Sequence, residues 1–177
     1  MPNNDLIDAE SALTLADYTS PALIVPYLRG LDAPTIIQEL SALLQREGRI
    51  TDLLPFYQAA LNREYLCSTV TEPGFALPHV LVKGIDKPSF ALGRTPKPIA
   101  WVRNTLLRVR VVFLLSVPET DARPYIMLIR GVARLSEEAE LLEELLKAKD
   151  SFEITNLLRQ VKLPMNRAST ADRIPPI

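Results

Sequence analysis

Leu107-Arg108-Val109-Arg110-Val111-Val112-Phe113-Leu114-Leu115-Ser116-Val117 is the stretch that decides the fold. Leu107, Val109 and Val111 alternate with Arg108 and Arg110, the two-residue period of a half-buried strand with its arginines toward solvent. From Val112 to Leu115 both parities are apolar, which suits a strand covered on both faces. Working outward, shorter extended pieces bounded by Gly, Pro or Asp lie upstream at Tyr65–Val70, Leu77–Val82 and Ser89–Leu92. Helical spacing brackets this central sheet on both sides. Upstream, a helix over Pro34–Glu47 carries Ile36, Ile37, Leu40, Leu43 and Leu44, with Asp32 near its cap and Gly48 at its stop. A second runs from Thr51 or Asp52 to about Arg63, with Leu53, Leu54, Tyr57, Ala60 and Leu61 inward. Downstream, helices are expected over Pro124–Leu135, Glu137–Lys149 and Phe152–Val161, the last opened by Asp150 and Glu153 in a capping-box arrangement. Helices, then strands, then helices predict an α/β protein, a single domain with a mixed β-sheet and helices on both faces.

Composition narrows the function classes. The chain has 177 residues, 47% hydrophobic and 23% charged, enough for one domain with a substantial core. Net charge is −1 with the basic residues scattered, which argues against a nucleic-acid or anionic-membrane surface. Cys67 is the only cysteine, which excludes an intrachain disulfide and fits a reducing, cytoplasmic setting. Residues 1–11 contain Asp5, Asp8 and Glu10 and do not read as a signal peptide. No apolar run is long enough to span a bilayer, so no membrane insertion is expected. Residues 1–11 and 164–177 are expected to be flexible tails around a domain at 12–163.

The chemistry converges on the sole histidine, His79, in Thr71-Glu72-Pro73-Gly74-Phe75-Ala76-Leu77-Pro78-His79. An imidazole can offer one ring nitrogen to an electrophile while a hydrogen bond holds the other. Pro78 fixes its own φ and restricts Leu77, and Gly74 permits a turn closed to other residues. On these residues alone, a packed structural histidine is the commoner reading.

Taken in order, Ala60-Leu61-Asn62-Arg63-Glu64, Ser68-Thr69, Gly74-Phe75-Ala76-Leu77-Pro78-His79, Pro98-Ile99-Ala100-Trp101, Val111–Pro118 and Val132-Ala133-Arg134-Leu135 resemble a known family. It is the enzyme IIA domain of the sugar phosphotransferase system, mannitol and fructose class, which includes the nitrogen-regulatory form. The resemblance covers about Leu13–Leu163. It implies a cytoplasmic phosphocarrier that accepts phosphoryl on His79 from the histidine phosphocarrier protein HPr or its nitrogen-branch counterpart. The next partner is a IIB domain in sugar transport, or regulated proteins in the nitrogen branch, toward which the absence of fused IIB or IIC segments leans. Phosphoryl transfer needs in-line positioning with cations or amide donors around the oxygens. Arg63 matches the family's arginine and suits that clamp, and Ser68 and Thr69 offer hydroxyl donors. No metal or organic cofactor is implied, and apolar helices leave a homodimer open.

Two positions depart from the family pattern. Where it has a second histidine, at the start of the helix after the strongest strand, this chain has Tyr125, which can donate to phosphate but supplies no cation. Val70-Thr71-Glu72-Pro73 replaces a small, glycine-rich stretch and brings the charge of Glu72 close to an incoming phosphoryl. These departures motivate an alternative: a IIA-like regulatory binding module with impaired phosphorylation. A dimeric structural protein is a third reading. The plainer roles are a helix-capping Arg63, a packed Tyr125, a small buried Cys67 in a strand, and an acidic helix face at Glu137–Glu144. Trp101 reads as core or as an exposed anchor.

Overall fold

The computed structural model describes residues 13–102 and 106–163. The expected tails, 1–11 and 164–177, lie outside them. The decisive stretch becomes strand β5 (Arg108–Pro118), at the centre of a five-stranded sheet. It pairs antiparallel with β4 (Ser89–Ala100), which pairs in parallel with the short edge strand β1 (Ile24–Val25). On its other side β5 takes two short parallel partners in succession, β2 (Phe75–Ala76) and β3 (His79–Val82). The sheet is therefore mixed, as the sequence predicts.

Helices cover both faces and the side chains of β5 sort between them. Val111, Phe113, Leu115 and Val117 join a core with α3 (Arg123–Glu137), α4 (Ala139–Lys147) and α5 (Ser151–Leu158). Val112 and Leu114 join a second core with α1 (Ala33–Arg46) and α2 (Leu53–Leu66). The expected alternation fails at one point: Val109 packs with the α1/α2 core although it shares parity with Val111. The backbone explains it. The β4 register slips between Arg94 and Ile99, opposite Arg110, and there the N–H groups of Arg110 and Val111 both reach the carbonyl of Gly74, at 2.8 and 3.3 Å, an irregularity of the bulge kind at which the face switches. Arg110 is consequently half-buried rather than on the solvent side, and its Nε is buried without a hydrogen-bond partner among the described residues.

Local signals account for most helix limits. Asp32 caps α1, accepting from the Thr35 N–H at 3.0 Å, and Gly48 stops it at φ +66°. Asp150 caps α5 by accepting from the N–H groups of Phe152 and Glu153, but Glu153 reaches back to the N–H of Lys149 instead of closing a box on Asp150. The strand expected at Tyr65–Val70 does not form. Helix α2 runs on to Leu66 and a loop follows, so Cys67 is exposed rather than buried. The buried stripe of α2 also differs from the expected face. It is Phe56, Ala60 and Glu64 at four-residue spacing, while Leu54 is exposed and Leu53, Tyr57 and Leu61 are half-buried. Among the described residues no helix is long and apolar enough to cross a membrane.

Candidate functional site

The site forms where α2 ends, β2 and β3 meet β5, and α3 begins. The backbone before His79 is pinned at several points. The Thr71 N–H donates to the Phe75 carbonyl at 2.9 Å, and the Gly74 and Phe75 N–H groups both donate to the Thr71 carbonyl. Gly74 has φ +105°, and a Cβ there would lie 2.6 Å from the Arg108 carbonyl oxygen, so both conformation and space require glycine. Pro78 then offers its carbonyl to the Leu115 N–H at 2.9 Å, which seats His79 as the first residue of β3, in register with Leu115.

His79 is half-buried, with Nδ1 3.1 Å from the carbonyl oxygen of Leu77. A carbonyl only accepts, so this bond places the proton on Nδ1 and leaves the Nε2 lone pair for chemistry. The ring packs against Tyr125, with centroids 4.7 Å apart and planes at 40°. Tyr125 lies in the first turn of α3, whose start is set by Pro124. Just before it, Asp121 and Arg123 form an exposed two-pronged ion pair, and the guanidinium holds the Asp121 carboxyl below its usual range, first through side-chain hydrogen bonds.

The other expected site residues are placed less simply. Arg63, in the last turn of α2, donates Nη1 to the Cys67 carbonyl at 3.0 Å and so caps its own helix end. Ser68 and Thr69 both direct their hydroxyl hydrogens at Glu64, at 3.0 Å to Oε1 and 2.7 Å to Oε2. In this arrangement neither hydroxyl hydrogen is free for phosphate.

Glu64 is the residue that sequence reasoning passed over. Its carboxylate is only 4% exposed and also accepts from the Thr69 N–H at 2.8 Å and from Trp101 Nε1 at 2.9 Å. Trp101 is therefore neither simple core nor exposed anchor, but a buried donor. Two signals were available: Glu64 follows Arg63 in the quoted motif, and it continues the Phe56, Ala60 stripe by four residues. A strand expected from Tyr65 onward hid the second.

The comparisons with known proteins bear on family and fold. The model of a family described as "Phosphoenolpyruvate-dependent sugar phosphotransferase system, EIIA 2" matches residues 17–161. The fructose-specific EIIABC component of Bacillus subtilis is 24% identical over 125 residues, 71% of this chain and only 20% of that protein. A nitrogen regulatory protein of Bradyrhizobium diazoefficiens is 26% identical over 148 residues, 82% of this chain and 95% of its own length. In structure, the nitrogen regulatory protein IIA-Ntr of Neisseria meningitidis superimposes with a TM-score of 0.69 at 22% identity, covering 81% of this chain and 98% of that one. Enzyme IIA for mannitol of Escherichia coli, solved in complex with phosphorylated enzyme IIB, superimposes with a TM-score of 0.66 at 17% identity, covering 80% and 96%.

Proposed function

The chain belongs to the EIIA 2 family of the phosphoenolpyruvate-dependent sugar phosphotransferase system, and on that premise we propose that it is a phosphocarrier working through Nε2 of His79. The phosphoryl donor is an HPr-type protein, either HPr itself or its nitrogen-branch counterpart. The observation that carries the reading is the bond between His79 Nδ1 and the Leu77 carbonyl, which leaves Nε2 as the nucleophile. In the transfer, the Nε2 lone pair attacks phosphorus while the phosphorus–nitrogen bond to the donor's histidine breaks and its electron pair returns to that ring. His79 becomes cationic as it is phosphorylated unless Nδ1 gives up its proton, and the Leu77 carbonyl is placed to stabilise a proton kept there. Arg63 uses one nitrogen on Cys67, and its remaining donors suit the clamp role on the phosphoryl oxygens. The Tyr125 hydroxyl completes the donor set.

The role is regulatory, of the nitrogen type, in the cytoplasm. The 26% identity to a nitrogen regulatory protein over 148 residues supports this. Regulated proteins, rather than a IIB domain, are then the downstream partners. The test is transfer from the phosphorylated donor to purified protein, comparing wild type with His79→Ala by intact mass under alkaline conditions. Label on wild type alone supports the carrier. A second reading, a regulatory module with impaired phosphorylation, is favoured by the Tyr125 ring lying where the family resemblance puts a second histidine. No label on either protein, from a donor proven competent on another acceptor, selects it.

A further inference from the structure

We infer that Glu64 is the positioning residue of His79, acting through Thr69 and Leu77, an inference that rests on the phosphocarrier reading for its consequence but not for its test. Glu64 Oε2 takes the hydroxyl hydrogen of Thr69 at 2.7 Å, so the lone pairs of that hydroxyl point outward as acceptors. One of them receives the N–H of Leu77 at 3.0 Å. Leu77, held there, presents its own carbonyl to His79 Nδ1 at 3.1 Å. Pro78 stiffens the step between the two, and its carbonyl is anchored on β5 by the Leu115 N–H.

The chemistry of the hub calls for a carboxylate. Four donors converge on Glu64: the Ser68 hydroxyl, the Thr69 N–H, the Thr69 hydroxyl and Trp101 Nε1. Only a group with two accepting oxygens and no hydrogens meets all four. Glutamine would turn an NH2 toward at least one of them. If that one is the Thr69 hydroxyl, as it is when the amide oxygen keeps the three donors on Oε1, the hydroxyl must accept from the NH2 and turn its hydrogen elsewhere, which reorients the lone pair that receives the Leu77 N–H and weakens the hold on Leu77. A buried carboxylate that merely tied the loop to the helix would leave the imidazole tautomer indifferent to its replacement, and that is the point of discrimination.

His79 is the only histidine, so its ring nitrogens are read without ambiguity in a long-range proton–nitrogen NMR spectrum of the unphosphorylated protein, at a pH where the imidazole is neutral. In wild type the Nδ1–H form is expected to dominate. Glu64→Gln should lower the ratio of Nδ1–H to Nε2–H about fivefold, the equilibrium worth of one ordinary hydrogen bond, and slow phosphoryl transfer by a similar factor. Thr69→Val should reproduce the tautomer shift and Thr69→Ser should restore the wild-type ratio, because serine keeps the relaying hydroxyl. If Glu64→Gln fails to fold, the Thr69 pair decides alone. An unchanged tautomer ratio in folded Glu64→Gln, or in Thr69→Val, overturns the inference, even if transfer slows. A shifted ratio in a protein that accepts no phosphoryl from any donor sinks the carrier reading and leaves the positioning role standing.

Discussion

Arg94 is a guanidinium buried in the fold with no carboxylate partner among the described residues, and its removal should be felt throughout the helical layer it ties down. It is 4% exposed and donates Nε to the Pro26 carbonyl at 3.1 Å, Nη1 to the Leu145 carbonyl at 2.7 Å and Nη2 to the Ala148 carbonyl at 2.6 Å. Two of those acceptors lie at the C-terminal end of α4, where unpaired carbonyls and the helix dipole favour a cation, and the Tyr27 ring lies 5.3 Å from the guanidinium carbon. Bonds from a charged donor contribute about 1.5–3 kcal/mol each, so the three set an upper bound of about 5–9 kcal/mol. Removing the charge also removes the several kcal/mol that its burial costs. Arg94→Met should therefore destabilise by about 3 kcal/mol, which at a urea slope of about 2 kcal/mol/M lowers the unfolding midpoint by about 1.5 M. Arg94→Lys keeps the charge but loses the planar fork, and one ammonium cannot match three divergent carbonyls, so it should recover only part of the loss. The folded fraction of either variant should accept phosphoryl at the wild-type rate, because nothing in this cluster touches His79. A midpoint within about 0.3 M of wild type for Arg94→Met would refute the reasoning, since it would mean that water or relaxation satisfies all three carbonyls at no cost.

Gly74→Ala should cost at least ~2 kcal/mol, from φ +105° and the 2.6 Å approach to the Arg108 carbonyl, and should loosen β2 from β5; chemical unfolding together with amide exchange at Arg110 and Val111 would show it. The Asp32 carboxyl is held below its ordinary value, first by the Thr35 hydroxyl and then by the Thr35 N–H. Its contribution is therefore full above the unfolded carboxylate pKa of about 3.9 and is lost as pH falls through the depressed folded value. Asp32→Asn, which keeps a capping oxygen without titrating there, should lessen the loss of stability between about pH 5 and pH 2, and Asp32→Ala should cost about 1 kcal/mol at neutral pH, both read by thermal unfolding across pH. Tyr125→Phe keeps the ring contact with His79 and removes the hydroxyl, so it should preserve the fold and reduce the yield or lifetime of phosphohistidine, measured by intact mass against time.

The layered fold was legible because its signals are local and redundant. The apolar run Val112–Leu115 required cover on both faces, and the helices that supply it carry their own stops and caps at Asp32, Gly48 and Asp150. What was not legible depended on partners distant in sequence. The irregularity at Arg110–Val111 involves a carbonyl from Gly74 and the slipped register of β4 between Arg94 and Ile99, so a strict two-residue period could not reveal that Val109 faces the other core. The end of α2 was misplaced because Tyr65–Val70 has the composition of a strand, whereas the helix continues far enough to bring Glu64 under the loop.

That misplacement bears directly on the site. The family resemblance pointed to His79 and to Tyr125, and the ring contact brings the two together, but it also cast Ser68 and Thr69 as donors aimed at a ligand. The folded chain instead turns both hydroxyls inward onto Glu64, a residue whose charge would ordinarily mark it as solvent-facing. A carboxylate at the end of the stripe Phe56, Ala60, Glu64 is tolerated only because four donors meet it there. One of those donors, the Thr69 hydroxyl, also accepts from Leu77, and Leu77 holds the histidine. On the phosphocarrier proposal, Glu64, Ser68 and Thr69 thus serve less to touch phosphate than to fix which ring nitrogen of His79 is free to do so.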